Sequence, residues 1–259
     1  MHTSIHPSAI VDPAAELAAG VEIGPFSIIG AGVRIGRGTR IGPHAVLRGP
    51  SEIGEDNRIF QFASVGEDPQ DKKYAGEETR LTMGDRNVVR EGATIHRGTI
   101  QDAGVTTIGS DNLFMAYTHV AHDCRIGDHV ILANAASLGG HVRVEDWAIL
   151  GGFTLVHQFC RIGAHSFCAM GSVITRDVPT YVTVGGHPGI PRGINSEGLK
   201  RRGFSDETIA VIRRAYRLLY TSSLKLADAL AAIRELAETC AELTPLVDFI
   251  ASSTRSIVR

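Results

Sequence analysis

Aliphatic side chains return every six residues along most of this chain. Counted from Ile5, the slot holds Val11, Leu17, Ile23, Ile29, Ile35, Ile41, Leu47, Ile53, Ile59 and Val65. It resumes at Met83, Val89 and Ile95, then runs from Ile108 through Phe114, Val120, Ile126, Leu132, Leu138, Val144, Leu150, Val156, Ile162 and Cys168 to Ile174. A second slot, four residues after the first, takes small side chains such as Ala9, Ala15, Ser27, Thr39, Ala45, Ala63, Ala93, Cys124, Ala136, Ala148, Thr154 and Ser172. Neither a helix nor plain strand alternation produces two locked slots at period six. The pattern predicts a solenoid whose coil is three short parallel strands, with the aliphatic residue inside and the small one at the inner corner. Three strands use about eighteen residues, and roughly nine coils stacked about 4.8 Å apart would give a prism on the order of 40 Å long. Glycine repeatedly follows the aliphatic slot (Gly24, Gly36, Gly54, Gly109), where an unhindered backbone is expected to ease the bend.

The pattern breaks in three places. Between Val65 and Met83 the slots fall on Asp71 and Glu77 within GEDPQDKKYAGEETR, which cannot line an interior, so residues 66–80 are expected to project as a loop. Between Ile95 and Ile108 thirteen residues replace twelve, and a bulge near Gln101–Gly104 would absorb the extra one. After Ile174 the period stops, and DVPTYVTVGGHPGIPRG reads as a linker. Beyond it the pattern is helical. Ser205 caps a segment with Asp206 and Glu207 in its first turn and Ile209, Ile212, Tyr216 and Leu219 on one face. Ser223 precedes a second helix with Leu226, Leu230, Ile233 and Leu236 inward, and Thr244–Pro245 opens a third. The expected division is a prism over residues 1–190 and a helical cap over 191–259.

Composition narrows the field. A net charge of −2 argues against nucleic-acid binding, and no apolar run approaches the eighteen or so residues of a membrane span. The opening MHTSIHPSAIVDP lacks a signal-peptide core. Of the four cysteines, Cys124, Cys160 and Cys168 occupy repeat positions, Cys240 lies in a helical stretch, and none forms a CxxC pair. Reduced structural thiols in a cytoplasmic protein fit this best.

Candidate chemistry lies with the eleven histidines. His122, His141 and His157 follow Val120, Leu138 and Val156, slots eighteen residues apart, which stacks them along one edge on successive coils. His119 is close by, and His96 belongs to an earlier coil. None fills an aliphatic slot, so all should face outward. Three readings stand: surface or interface packing, a three-imidazole metal site, and a general base drawn from a group that titrates near neutrality. Asp123 could orient such a base. Spacing alone does not separate the last two.

Several strings are more specific than the repeat: IFQFASVGEDPQDKKYAGEETR, ATIHRGTI, GSDNLFMAYTHVAHDC, ILANAASLGGHV, GGFTLVHQFCRIGAHS and GINSEGLKRRGF. Together they resemble the UDP-N-acetylglucosamine O-acyltransferases, over essentially the whole chain. The resemblance implies a left-handed parallel β-helix with a C-terminal helical domain. It implies transfer of an (R)-3-hydroxyacyl group from acyl carrier protein to the sugar 3-hydroxyl in the first step of lipid A synthesis. It also implies His122 as general base, Asp123 as its partner and the backbone N–H of Gly140 at the oxyanion. No metal or cofactor is implied, because a thioester is already activated. Asp71 and Lys73 correspond to contacts to the sugar nucleotide. His96, His119, His141, His157 and Gln158 correspond to the cleft, and Asn195, Glu197, Arg201 and Arg202 to the nucleotide end. The implied assembly is a homotrimer with sites between prisms. Lys200, Arg213, Arg214 and Arg217 offer charges for the acidic carrier.

One position departs from the family pattern. Met170 stands where members using long acyl chains carry glycine, and its side chain would shorten the hydrocarbon groove, so a chain near ten carbons is expected. The alternatives are another hexapeptide acyltransferase, a metal enzyme resembling gamma-class carbonic anhydrase, and a non-catalytic scaffold. A glucosamine N-acyltransferase would normally carry an amino-terminal uridine-binding domain, and the repeat here already starts at Ile5.

Overall fold

The computed structural model describes residues 2–259. Strands of two to five residues turn through three faces in strict rotation. Face 1 has eleven strands, face 2 nine and face 3 eight, and every pairing is parallel except the last on face 1. Up to Ile174, registers are eighteen residues apart wherever no loop intervenes, as in Ile23 beside Ile41 and Val120 beside Leu138. The aliphatic slot is the core: Ile29, Leu47, Ile59, Ile95, Leu132 and Leu150 are each at most 1% exposed. Small slots are buried too, and where they hold asparagine they bond between coils. The side-chain amide of Asn57 donates to the Gly84 carbonyl at 2.9 Å, and its Oδ1 accepts from Asn87 N at 2.8 Å.

Glycine does a different job from the one expected. Gly24, Gly36, Gly54 and Gly109 do not carry left-handed backbone; a Cβ at Gly36 would stand 2.5 Å from the Gly54 carbonyl carbon of the next coil. These glycines admit close coil-to-coil approach. The left-handed turn falls two residues later and is mostly made by other residue types, among them Asp56, Asp123, His141 and Phe159 at φ 53°, 59°, 61° and 66°. Asp and His tolerate this region better than most residues, and aromatic residues there stack, as Phe26, His44 and Phe62 do.

The outward columns differ sharply between faces. On face 3 the column reads Glu16, Arg34, Glu52, Thr82, Thr107, Arg125, Arg143, Arg161. On face 1 it turns apolar from Val88 through Leu113, Ile131 and Ile149 to Phe167.

The expected linker after Ile174 is not one. Val178 bridges Ile162, Val182–Gly185 pairs parallel on face 1, and Ile190–Ile194 returns antiparallel to it. The coil closes with sixteen residues (Cys168 beside Val184), so a count in sixes loses it. The strand Ile190–Ile194 thus begins at the expected boundary. Helices α1 (Ser196–Arg201), α2 (Asp206–Tyr220), α3 (Leu226–Ala237) and α4 (Thr244–Ser252) follow around their own core, with Leu199, Ile212, Leu219, Ile233 and Phe249 buried. Ser205 caps α2 as expected, its hydroxyl accepting from Thr208 N at 3.1 Å. Helix α3 starts later than Ser223 suggested: Lys225 precedes it without a side-chain cap.

Candidate active site

Three residues past the aliphatic slot the chain turns the corner between faces 2 and 3, and this corner gathers the titratable groups. His122, Gly140 and Gln158 occupy one column of it; Asp123, His141 and Phe159 occupy the next. Nδ1 of His122 lies 2.8 Å from Oδ2 of Asp123. A carboxylate only accepts, so in the neutral ring Nδ1 carries the proton and Nε2 keeps its lone pair.

Asp123 is buried, which disfavours its charge, yet hydrogen bonds from His122 and Thr99 hold it below the ordinary carboxylate value. Its Oδ1 accepts from Thr99 N at 2.9 Å and its Oδ2 from Thr99 Oγ1 at 2.6 Å. The Asp123 N–H donates to Thr106 Oγ1 at 2.8 Å. The dyad is therefore fixed from three directions.

His122 opens onto a cleft of about 410 Å³ on face 2, lined also by Gln70, His96, His119, Ala121, Ser137, Leu138, Gly139, Gly140, Leu155, Val156 and Gln158. Gly140 presses against the His122 ring: a Cβ there would stand 2.5 Å from its Cε1. Among the described residues, the Gly140 N–H makes no hydrogen bond, although the residue is buried. His96 donates from Nδ1 to the Asp68 carbonyl at 2.6 Å, and burial lowers its pKa. His119, 2.7 Å from Thr94 Oγ1, is lowered to about 4 by burial and by the nearby His96 and His122. The cleft thus holds neutral imidazoles around the dyad.

The other expected residues are scattered. His157 is exposed beside the cleft, its Nδ1 donating to the Gln158 carbonyl at 3.1 Å. Asp71 and Lys73 sit on the loop after Ser64–Glu67, where Asp71 Oδ1 accepts from Lys73 N at 3.0 Å; of that loop, Gln70 reaches the cleft wall. Asn195 caps α1, Glu197 and Arg201 are exposed on it, and Arg202 lies 5.2 Å over Trp147 at the corner between faces 3 and 1. Met170, 78% exposed, stands at the corner between faces 1 and 2. One chain therefore spreads the expected site over all three corners.

Residues not foreseen hold the site together. Besides Thr99, Asp102 lies on the turn that absorbs the thirteen-residue spacing, its Oδ2 3.4 Å from Nδ1 of His141. Arg97, 6% exposed, donates to the carbonyls of Gly49 and Gly66 at 2.8 Å each and pairs with Asp68, anchoring the loop root. Arg97 and Thr99 share the string HRGT with His96, so the signal lies in the sequence. His122, Asp123 and His141 place donor atoms within 4.8 Å of one another, close enough for a metal. The donor set does not suit one, since Asp123 is already taken up, its Oδ1 accepting from Thr99 N and its Oδ2 from both Thr99 Oγ1 and His122 Nδ1.

An acyl-[acyl-carrier-protein]–UDP-N-acetylglucosamine O-acyltransferase of Pseudomonas syringae pv. syringae is 58% identical over 255 residues, covering 98% of this chain and 99% of the relative. The chain belongs to the UDP-N-acetylglucosamine O-acyltransferase family. The Pseudomonas entomophila relative is 57% identical over 257 residues, covering 99% of this chain and all of its own. A profile described as UDP N-acetylglucosamine O-acyltransferase, domain 2, matches residues 177–258, and one described as bacterial transferase hexapeptide matches 106–140. Among solved structures, LpxA of Acinetobacter baumannii superposes with TM-score 0.96 at 48% identity, covering 98% of this chain and 99% of that one. The Arabidopsis UDP-N-acetylglucosamine acyltransferase gives 0.87 at 36%, covering 98% and 100%. The protein is an acyltransferase, and its fold is the left-handed parallel β-helix with a helical carboxyl end.

Proposed function

We propose that this acyltransferase moves an (R)-3-hydroxyacyl group from acyl carrier protein to the 3-hydroxyl of UDP-N-acetylglucosamine, the first step of lipid A synthesis, with His122 as general base. The observation that carries the mechanism is the buried Asp123 carboxylate 2.8 Å from Nδ1 of His122, which leaves Nε2 free at the cleft. Nε2 takes the proton from the sugar hydroxyl as its oxygen attacks the thioester carbonyl. The oxyanion forms against the unengaged Gly140 N–H, a fixed donor of a kind worth about 3 kcal/mol in the transition state. Collapse breaks the carbon–sulfur bond, and the imidazolium returns its proton to the departing thiolate. Asp123 stabilises the imidazolium and holds the tautomer. Neutral His96 and His119 would orient sugar hydroxyls without a competing charge.

The homotrimer extends the same reading. The expected contacts lie on three different corners of one chain, and only neighbouring copies could bring Arg201, Arg202 and Met170 toward a His122 cleft. The corner between faces 1 and 2 is a ridge of exposed apolar side chains, with Phe26, Phe62, Tyr117 and Phe153 59–72% exposed, as suits a buried axis. Asp71 and Lys73 would close over the sugar nucleotide. The free cysteines, all buried, suit a reducing compartment, and we take the cytoplasm as the site of action. Lys200, Arg213, Arg214 and Arg217 would meet the acidic carrier.

Acyl transfer from a panel of 3-hydroxyacyl carrier proteins, with wild type and His122→Ala side by side, tests this. Activity should peak near ten carbons and collapse in the variant. No transfer from any donor would sink the reading. Met170→Gly should move the preference to longer chains, each added methylene contributing about 0.8 kcal/mol on burial; an unchanged optimum would remove Met170 as the ruler.

A further inference from the structure

Face 3 carries a second recess, lined by other residues than the acyl-transfer cleft. It measures about 600 Å³ and lies between the prism and the segment after α4. Its floor is the ladder Arg143–Arg161, its rim Thr254 and Arg255, and its inner wall the stacked rings of His141 and Phe159, 4.4 Å apart and 9° from parallel. Arg161 is held in place by Glu145 at 3.0 Å, by Ser252 at 3.0 Å and over the Phe249 ring at 4.3 Å. Arg143 and Arg255 are different. Among the described residues, no carboxylate lies within 4.0 Å of either guanidinium. The one acid on the wall, Asp102, already faces Arg125 at 3.6 Å and His141 at 3.4 Å.

We propose that this recess is a phosphate-binding site for a nucleotide, with the phosphates between Arg143 and Arg255 and a planar base against the open side of Phe159. Arginine forks match phosphate oxygens, and two that lack an internal partner can give their charge to a ligand at little cost. A half-exposed ring already backed by a stacked histidine is a platform on which any base can stack. The volume suits a nucleotide. The all-polar outward column of face 3 keeps this surface in water when the apolar face 1 and the aromatic ridge are covered. His141 is shared, lining the recess with one side and standing 3.8 Å from Asp123 Oδ2 with Nε2. The recess is thus next to the dyad, from behind. The proposal concerns binding and stands whether or not the acyl-transfer reading does.

The ligand could be a separate nucleotide or the diphosphate of the acceptor itself reaching around the corner, and one experiment distinguishes them. Calorimetric titration of the full chain with UDP and with inorganic phosphate is run on wild type, Arg143→Ser, Arg255→Ser and the double variant, beside the KM for the sugar nucleotide. UDP affinity at one class of site should fall about 10- to 100-fold in the double variant, with Arg143→Lys partly restoring it. If KM stays put, a separate nucleotide occupies the recess; if KM rises by the same factor, the acceptor does. In the wild-type chain, UDP should also slow phenylglyoxal modification of Arg143 and Arg255, a readout that needs no variant to fold. UDP affinity and KM both unchanged in the well-folded double variant, or no protection, would overturn the proposal.

Discussion

Two corners of this prism share one backbone and do opposite things. At the corner between faces 2 and 3, left-handed positions hold Asp123 and His141, locked by Thr99, Thr106 and Asp102 and packed against Gly140. At the corner between faces 1 and 2 the same positions hold Phe26, His44, Phe62, Tyr117 and Phe153, with their rings turned outward. The solenoid supplies a repeated left-handed turn, and the residue placed there decides whether the corner does chemistry or offers a surface. Strain is common to both corners, so it does not mark the one proposed to be catalytic. Buried, satisfied polarity does.

The sharpest way to break the contrast is at His122, the proposed base. His122→Ala should lower kcat by about 10²- to 10⁴-fold, the usual worth of a general base, while the melting temperature hardly moves. A variant with full activity would place the chemistry elsewhere. Gly140→Ala comes next: its methyl must displace the His122 ring, and a shift of about 1 Å can cost about 10²-fold in kcat. Normal kcat there would show that the ring position is not critical. On the other corner, Tyr117→Asp with Phe153→Asp should leave the chain folded but shift its mass by sedimentation toward the monomer; an unchanged assembly would show that the ridge faces water.

A smaller effect concerns pH. His119 and His165 are lowered from 6.5 to about 4, both mainly by burial, His119 further by His96 and His122 and His165 by Arg202. Below 6.5 the unfolded chain binds protons that the folded chain refuses, so this contribution is complete above 6.5 and is lost as pH falls toward 4. The melting temperature should decline over that window, and a flat profile would contradict the burial. The smallest effect belongs to face 3: Arg34→Ala removes exposed ion pairs to Glu16 and Glu52 and should leave the melting temperature unchanged.

Much of this was legible along the chain. A core residue every six positions is a local rule obeyed by each strand independently, so periodicity exposed the prism, the projecting loop and the edge on which His122 and His141 meet; the two rings stand edge-on in neighbouring columns rather than stacked, and His157 lies apart from them. The last coil was missed because it closes in sixteen residues, and the glycines were misread because their neighbour is the next coil, eighteen or more positions away. Thr99 and Asp102 show the same limit. Their partners Asp123 and His141 lie 24 and 39 residues on, and nothing in local composition links them.

What the sequence by itself determined was the period, hence the core, the corner positions and the column in which His122, Gly140 and Gln158 align. Its motifs also placed the chain in its family. What only the tertiary structure decided was which side chains meet across coils: the carboxylate beside His122, the glycine that touches its ring, the two arginines behind it that face no carboxylate among the described residues, and the dispersal of the expected contacts over three corners. The physical reason is range. A repeat writes each residue's distance from the axis into the sequence, but a hydrogen bond depends on which coils stack and how far a loop reaches, and that is settled when the chain closes on itself.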